Sequence, residues 1–158
     1  MPFRYRLQKA LDFRIRAKDQ QLQVVIIAQQ EVYKVDGLIE LNNREIDTTK
    51  SNMRQADAFM LESYDIFLKS LYEKGTQLEE QRQKALEVLA EEKRKLTQAE
   101  KDVKVLEKHK ERMLEIYKEE EKAAELKRLS EVAVQRFFAR HREEQEELER
   151  EARRNKDK

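Results

Sequence analysis

From Leu78 to Ala124 apolar side chains return at alternating steps of four and three, and this spacing constrains the chain more than any single motif does. The positions are Leu78, Arg82, Ala85, Leu89, Glu92, Leu96, Ala99, Val103, Leu106, Lys110, Met113, Tyr117, Glu120 and Ala124, of which ten out of fourteen are apolar. A repeat of 3.5 residues forms one narrow stripe along a helix, the seam that a coiled coil presents to a partner helix, and a lone helix cannot bury it. The first half carries a second rhythm. Val25, Val32, Ile39, Ile46, Met53, Met60 and Phe67 fall at strict sevens, and the companion column three residues later, Ala28, Val35, Asn42, Thr49, Ala56, Ser63 and Ser70, is mainly small or polar. Small companions let two helices approach closely, which suits antiparallel pairing within one chain, although a homodimer reads similarly. The expected fold class is therefore all-α, an antiparallel two-helix coiled-coil hairpin.

Composition agrees and excludes much else. Charged residues make up 42% of the chain, too many for one round core, and the only backbone punctuators are Gly37, Gly75 and Pro2. A phosphate-cradling loop or a nucleophile elbow needs glycine where a side chain would obstruct the backbone, so nucleotide-binding enzymes are not expected. Cysteine is absent, and His109 and His141 stand far apart, leaving little for a metal, a cofactor or acid and base catalysis. No enzyme activity is expected. Basic residues (34) nearly balance acidic ones (33), which argues against capture of the whole chain by nucleic acid. The longest aliphatic run, Val24 to Ala28, is far short of the roughly 20 residues that cross a bilayer, and the start lacks the apolar segment of a secretory signal. A cytoplasmic location follows as the expectation.

The place where the chain reverses sets the architecture. Asp47 to Asn52 is poor helix interior and good capping chemistry, because its short polar side chains compete for nearby backbone groups. A reversal there gives helix 1 at about 3–49, a turn at about 50–57, a longer helix 2 at about 58–150 and a frayed tail at 151–158, all in one domain over 1–158. Lys74-Gly75-Thr76 is the rival, which would split the chain into nearly equal arms. With the earlier turn, Phe3 lies opposite roughly residue 103, and the outer part of helix 2 is left with Leu126, Leu129, Ala133 and Phe137 on one face, Phe138 beside them, and no intramolecular partner.

Several segments together resemble a known family. The opening Phe3-Arg4-Tyr5-Arg6-Leu7-Gln8, with Leu11 and Arg14 behind it, is similar to the aromatic, basic and leucine start of the flagellar export protein FliJ. Tyr64-Asp65-Ile66-Phe67-Leu68-Lys69-Ser70-Leu71 resembles the family's Tyr-x-x-Phe-aliphatic-x-x-Leu stretch. Leu106 to Glu111 and Glu125 to Ala133 are similar to its lysine-rich segment and its Lys-x-Leu-Asp-Glu-x-Ala element, with Ser130 where many members have Asp and His109 where Leu is common. The resemblance implies a coiled-coil stalk of the flagellar type III export apparatus, bound peripherally at the cytoplasmic side of the inner membrane. It further implies that the stalk links the hexameric export ATPase FliI to the export gate FlhA and cycles export chaperones. Matched by motif, Phe67 and Leu71 become gate contacts, with Lys74 and Leu78 following.

Each of these signals also has a plainer reading. Phe67 and Leu71, four apart on one helical face, serve equally well as seam residues. Between Met1 and Lys18 six basic residues and three aromatic ones stand against Asp12 alone. Such an arm suits the acidic inner wall of an ATPase ring, through Phe3, Arg4, Arg6 and Arg14, and suits a solvated face, a nucleic acid or a lipid surface as well. Leu129 and Phe137 complete the expected ring contact, and read otherwise they belong to an internal seam. Two alternative functions stay open: a generic structural spacer or homodimer, and a chaperone that shields export substrates.

Overall fold

A computed structural model describes residues 2–156; Met1, Asp157 and Lys158, and with them the end of the expected frayed tail, lie outside the described residues. The elements are α1 (Gln8–Arg54), a 3₁₀ turn (Ala58–Met60) and α2 (Leu61–Lys156), with no strand among the described residues. The chain divides into two compact units in place of one domain over 1–158. The hairpin unit comprises residues 7–107, and the terminal unit joins the N-terminal residues up to Arg6 with the part of α2 from Lys108 onward.

In the hairpin unit α1 and α2 pack antiparallel as a helical hairpin. Tie points along it fix the direction: Arg14 meets Asp102 at 3.3 Å, Gln21 meets Glu92 at 2.6 Å, and Asp36 meets Arg82 at 2.6 Å. Lys74 reaches Glu45 at 4.0 Å nearer the reversal. Between these ties lies the apolar seam. Val25, Ala28, Val32 and Leu89 form one buried cluster with Ala85, Leu86 and Leu96 against it, and Ile46, Leu68 and Leu71 form another with Met53. Burying one such aliphatic side chain contributes about 1.5 to 3 kcal/mol, against about 0 to 1 kcal/mol for an exposed ion pair. Apolar burial therefore holds the helices together, and the polar ties set their register. At Glu92 the Gln21 amide, then Lys95, hold the carboxyl below the usual carboxylate range. That tie is complete above the ordinary carboxylate pKa and weakens as the pH falls below it.

The reversal falls at residues 55–60, overlapping the end of the turn expected at about 50–57 and far from Gly75. Asp47 to Asn52 lies inside α1, because Thr49 occupies a buried seam position and its hydroxyl donates to the Glu45 carbonyl at 2.7 Å rather than breaking the helix. The helix ends where Gln55 and Ala56 donate to the carbonyls of Asn52 and Met53, with Arg54 complementing the C-terminal dipole in the last turn. Asp57 is extended (φ −66°, ψ 151°) and its carbonyl accepts from Met60 at 2.8 Å, closing the turn into α2. The column of sevens is buried or half-buried through Met53 only. Met60 and Phe67 are exposed, since the turn resets the helical phase and Leu68 and Leu71 take over the seam.

Gly75 is not a bend; it is a notch. Asn42 is the largest fully buried side chain, at 1% exposure, and its Nδ2 donates to the Leu71 carbonyl at 3.0 Å across the seam. A Cβ at Gly75 would stand 3.1 Å from that nitrogen, so glycine clears the space that the amide fills. A single buried amide with one matching gap penalises every other register of the hairpin.

The terminal unit departs from the expected start of helix 1 at residue 3, because α1 begins only at Gln8. Residues 2–5 are not helical. Phe3 packs on Tyr117 with ring centroids 5.5 Å apart, and Tyr5 is hydrogen-bonded to His109 Nδ1 at 2.9 Å. In a helix the same two residues would diverge by about 200°. Phe3 thus faces Tyr117 rather than the region of residue 103. Residues 151–156, expected to fray, continue α2.

Replacing Gly75 by Ala in the Asn42→Ala background is expected to raise stability by about 1 kcal/mol, the helix propensity gain alone. With Asn42 in place the gain should shrink or reverse. Urea unfolding followed by circular dichroism decides it, and an equal gain in both backgrounds would mean that Asn42 does not fill the notch.

Candidate interaction surfaces

The four residues assigned to a gate contact separate into two pairs. Leu71 (4% exposed) and Leu78 (6%) are seam residues on the side of α2 that faces α1, so they are not available to an outside partner. This corrects the reading that put them on a docking surface with Phe67. Phe67 is 50% exposed and Lys74 is exposed beside Glu45. The reason is phase: with Leu68 and Leu71 in the seam, Phe67 sits about 100° round from Leu68 at the edge of the stripe.

The basic arm is divided as well. Arg4 and Arg6 are exposed and Phe3 is half-buried in the terminal unit, whereas Arg14 belongs to the hairpin unit and spends its charge on Asp102. Around the arm a groove of about 710 Å³ is lined by Pro2, Phe3, Arg4, Met113, Ile116, Tyr117 and Glu120. Its floor is apolar, and Arg4 and Glu120 set opposite charges at its edges. Lys50, at the far end of α1, lies 5.7 Å from the centre of the Tyr72 ring and is held in its charged form mainly by that residue.

Farther along α2 every described residue from Lys118 onward is exposed. Leu126, Leu129, Phe137, Phe138 and Leu148 are all more than half exposed, an apolar stripe of large side chains with no intramolecular cover among the described residues. A shallow groove here is lined by Leu129, Val132, Ala133 and Phe137 together with Arg136 and Arg140. Phe137 stacks with His141 at 6.3 Å and meets Phe138 edge-on at 5.9 Å, so its ring is held in place although it is exposed. Leu129 and Phe137 thus share one groove. Phe3 and its neighbours do not join it, because Tyr117, on which Phe3 packs, lies twelve residues before Leu129, about 18 Å along the helix.

Sequence reasoning missed Arg136 and Arg140, which are four apart and follow Val132 at the same interval, a spacing that announces one shared face. It also missed Phe59 and Ile66, exposed near the reversal. Their exposure depends on where the turn falls. Among the described residues no group of three or more His, Asp or Glu is placed to hold a metal ion, and no helix is long and apolar enough to cross a membrane. Comparison with family models, with curated proteins and with solved structures found no match to this chain.

Substitution separates the two pairs. Leu71→Ala should cost about 2 to 5 kcal/mol of stability, as buried leucine truncations do. Phe67→Ala should stay within about 0.5 kcal/mol. Chemical unfolding of both variants measures this, and equal losses would contradict the phase assigned to α2.

Proposed function

We propose that the chain is a FliJ-like stalk of the flagellar type III export apparatus, in which a coiled-coil hairpin joins the export ATPase FliI to the export gate FlhA and cycles export chaperones. The observation that carries the reading is the imbalance between the helices. α2 continues for some forty residues after Tyr117, on which Phe3 packs, and those residues bear a large apolar stripe with no cover among the described residues. A chain does not leave Leu126, Leu129, Phe137 and Phe138 in water without a reason, and a partner surface is the ordinary one. The coiled-coil assignment is supported by the seam itself, in which Leu71, Leu78, Leu89 and Val103 are buried and Arg82, Ala85, Leu96 and Ala99 are half-buried at the alternating spacing.

In this reading Leu129 and Phe137, flanked by Arg136 and Arg140, are the main ring contact, since an apolar and basic groove complements an acidic inner wall. Phe3, Arg4 and Arg6 give a second contact, and Arg14 drops out because Asp102 already engages it. The mechanism is assembly and not catalysis by this chain. A stalk that binds the assembled hexamer better than free FliI subunits shifts the equilibrium toward the ring by mass action and so raises hydrolysis. The chain then acts in the cytoplasm, peripheral to the membrane that holds the gate.

FliI titrated with the full chain should hydrolyse ATP faster, with the largest gain at enzyme concentrations where ring assembly is incomplete. Leu129→Asp combined with Phe137→Asp should abolish the gain and leave hairpin unfolding unchanged. Hydrolysis that does not respond at any concentration contradicts the reading.

A further inference from the structure

From Arg136 to Arg142 α2 carries three arginines, His141 and no acid, and from Glu143 to Glu149 it carries five glutamates and no base. The two runs meet solvent in neighbouring grooves. One is lined by Leu129, Val132, Ala133, Arg136, Phe137 and Arg140, the other by Glu144, Glu147, Leu148 and Glu151. At about 100° per residue, Arg136, Phe137, Arg140, Glu144, Glu147, Leu148 and Glu151 all fall within about 60° of the line through Ala133, so a basic groove and an acidic groove share one face of one helix. Phe137 and Leu148, one in each groove, are both 66% exposed. Arg136, Arg140, Glu144, Glu147 and Glu151 form no ion pair among the described residues, and Arg140 precedes Glu144 by four, the weaker order for a pair within a helix.

A face that is basic at one end and acidic at the other complements itself when turned end for end. With a two-fold axis at Arg142, two antiparallel copies bring Arg140 to Glu144, Arg136 to Glu147, Phe137 to Leu148 and Ala133 to Glu151, each contact made twice. Arg142 itself lies nine residues after Ala133, about 180° round the helix, so it does not face its own copy. The second helix ends at Lys156, opposite Arg128, which is eleven residues after Tyr117, and so stops short of the place where Phe3 packs. A parallel pair in register would set arginine on arginine and glutamate on glutamate. An anionic lipid surface would attract Arg136 and Arg140 but repel the glutamates beside them.

We propose that two copies of the chain pair antiparallel through this outer face of α2, with Phe137 on Leu148 and with Arg136 and Arg140 on Glu147 and Glu144. The pairing goes beyond the ring reading and competes with it, because Arg136, Phe137 and Arg140 cannot serve both partners at once. Chains so paired are withheld from FliI. About half of the residues from Arg128 to Lys156 face the second copy, fewer than the roughly 20 to 30 a side of a standard interface, so the pair is weak, reversible and sensitive to salt.

Sedimentation equilibrium of the full chain at low salt tests this. The unaltered chain should show a reversible monomer and dimer equilibrium at micromolar concentrations. Arg136→Glu and Glu147→Arg each place two like-charge contacts in the pair and should each weaken self-association by about tenfold or more, with helicity retained. Mixed in equal amounts, the two variants form a pair with one native and one reversed ion pair, and dimer should return to nearly the unaltered level. Val88→Asp, exposed on the hairpin, should change nothing. A chain that is monomeric at every concentration, single variants that dimerise as the unaltered chain does, or a mixture that does not recover would each overturn the proposal. A monomeric chain that still accelerates FliI hydrolysis overturns the pairing and leaves the ring contact standing, whereas a dimer that follows the charge swap in a chain without effect on FliI supports the pairing and overturns the ring reading.

Discussion

Everything in the hairpin unit depends on one narrow seam that neither helix can bury alone. Val25, Val32 and Ile46 from α1 and Leu68, Leu71 and Leu89 from α2 leave water only when the two helices lie together. The remaining faces of both helices are largely charged, and apolar side chains on them such as Ile27, Leu41, Val88 and Val105 stay more than half exposed. The reversal at residues 55–60 is the device that supplies the second helix from the same chain, and its position then determines how much of α2 the rest of the chain can cover. Seam, turn and uncovered stripe are thus successive consequences of one requirement.

A seam built from similar aliphatic residues is tolerant of slippage by a heptad, and the structure answers this with polar exceptions. Asn42 donates across the seam to the Leu71 carbonyl where Gly75 leaves room, and Asp36 with Arg82 and Gln21 with Glu92 tie the edges at separate heights. Each contributes little energy, but a shifted register would bury the Asn42 amide against a bulkier residue and break the ties together.

Much of this was legible in the sequence, because spacing alone reports which residues face a partner. The stripe beginning at Leu78 is the seam of α2 as far as Leu106, while its outer positions Met113, Glu120 and Ala124 are exposed, and the sevens through Met53 are the seam of α1. Other features were not legible, each for a physical reason. Thr49 and its neighbours carry turn-forming chemistry, yet burial and a hydroxyl bond to the Glu45 carbonyl keep them helical. Gly75 carries the signature of a helix end and instead makes room for a side chain 33 positions away. Propensity sees only neighbours in sequence, so it missed that long-range fit. Phe67 continued the sevens arithmetically, but a turn between Arg54 and Leu61 gives α2 its own phase, and a one-residue shift from Leu68 to Phe67 moves a side chain from the seam to its edge. At the N-terminus, non-helical residues bring Phe3 to Tyr117 and Tyr5 to His109, contacts that a helical reading of the basic arm hides.

The measurement that bears most directly on the folded-back seam is disulfide trapping of Val25→Cys with Leu89→Cys, two positions of one buried cluster in a chain with no cysteine of its own. Oxidation in dilute solution should give a cross-linked monomer, with a yield that does not change on dilution, because the two positions lie on facing helices in one buried cluster of the same molecule. A covalent dimer as the only product, or no bond at all, would contradict the account, since two extended copies or a reversal at Gly75 would each separate these positions within one chain.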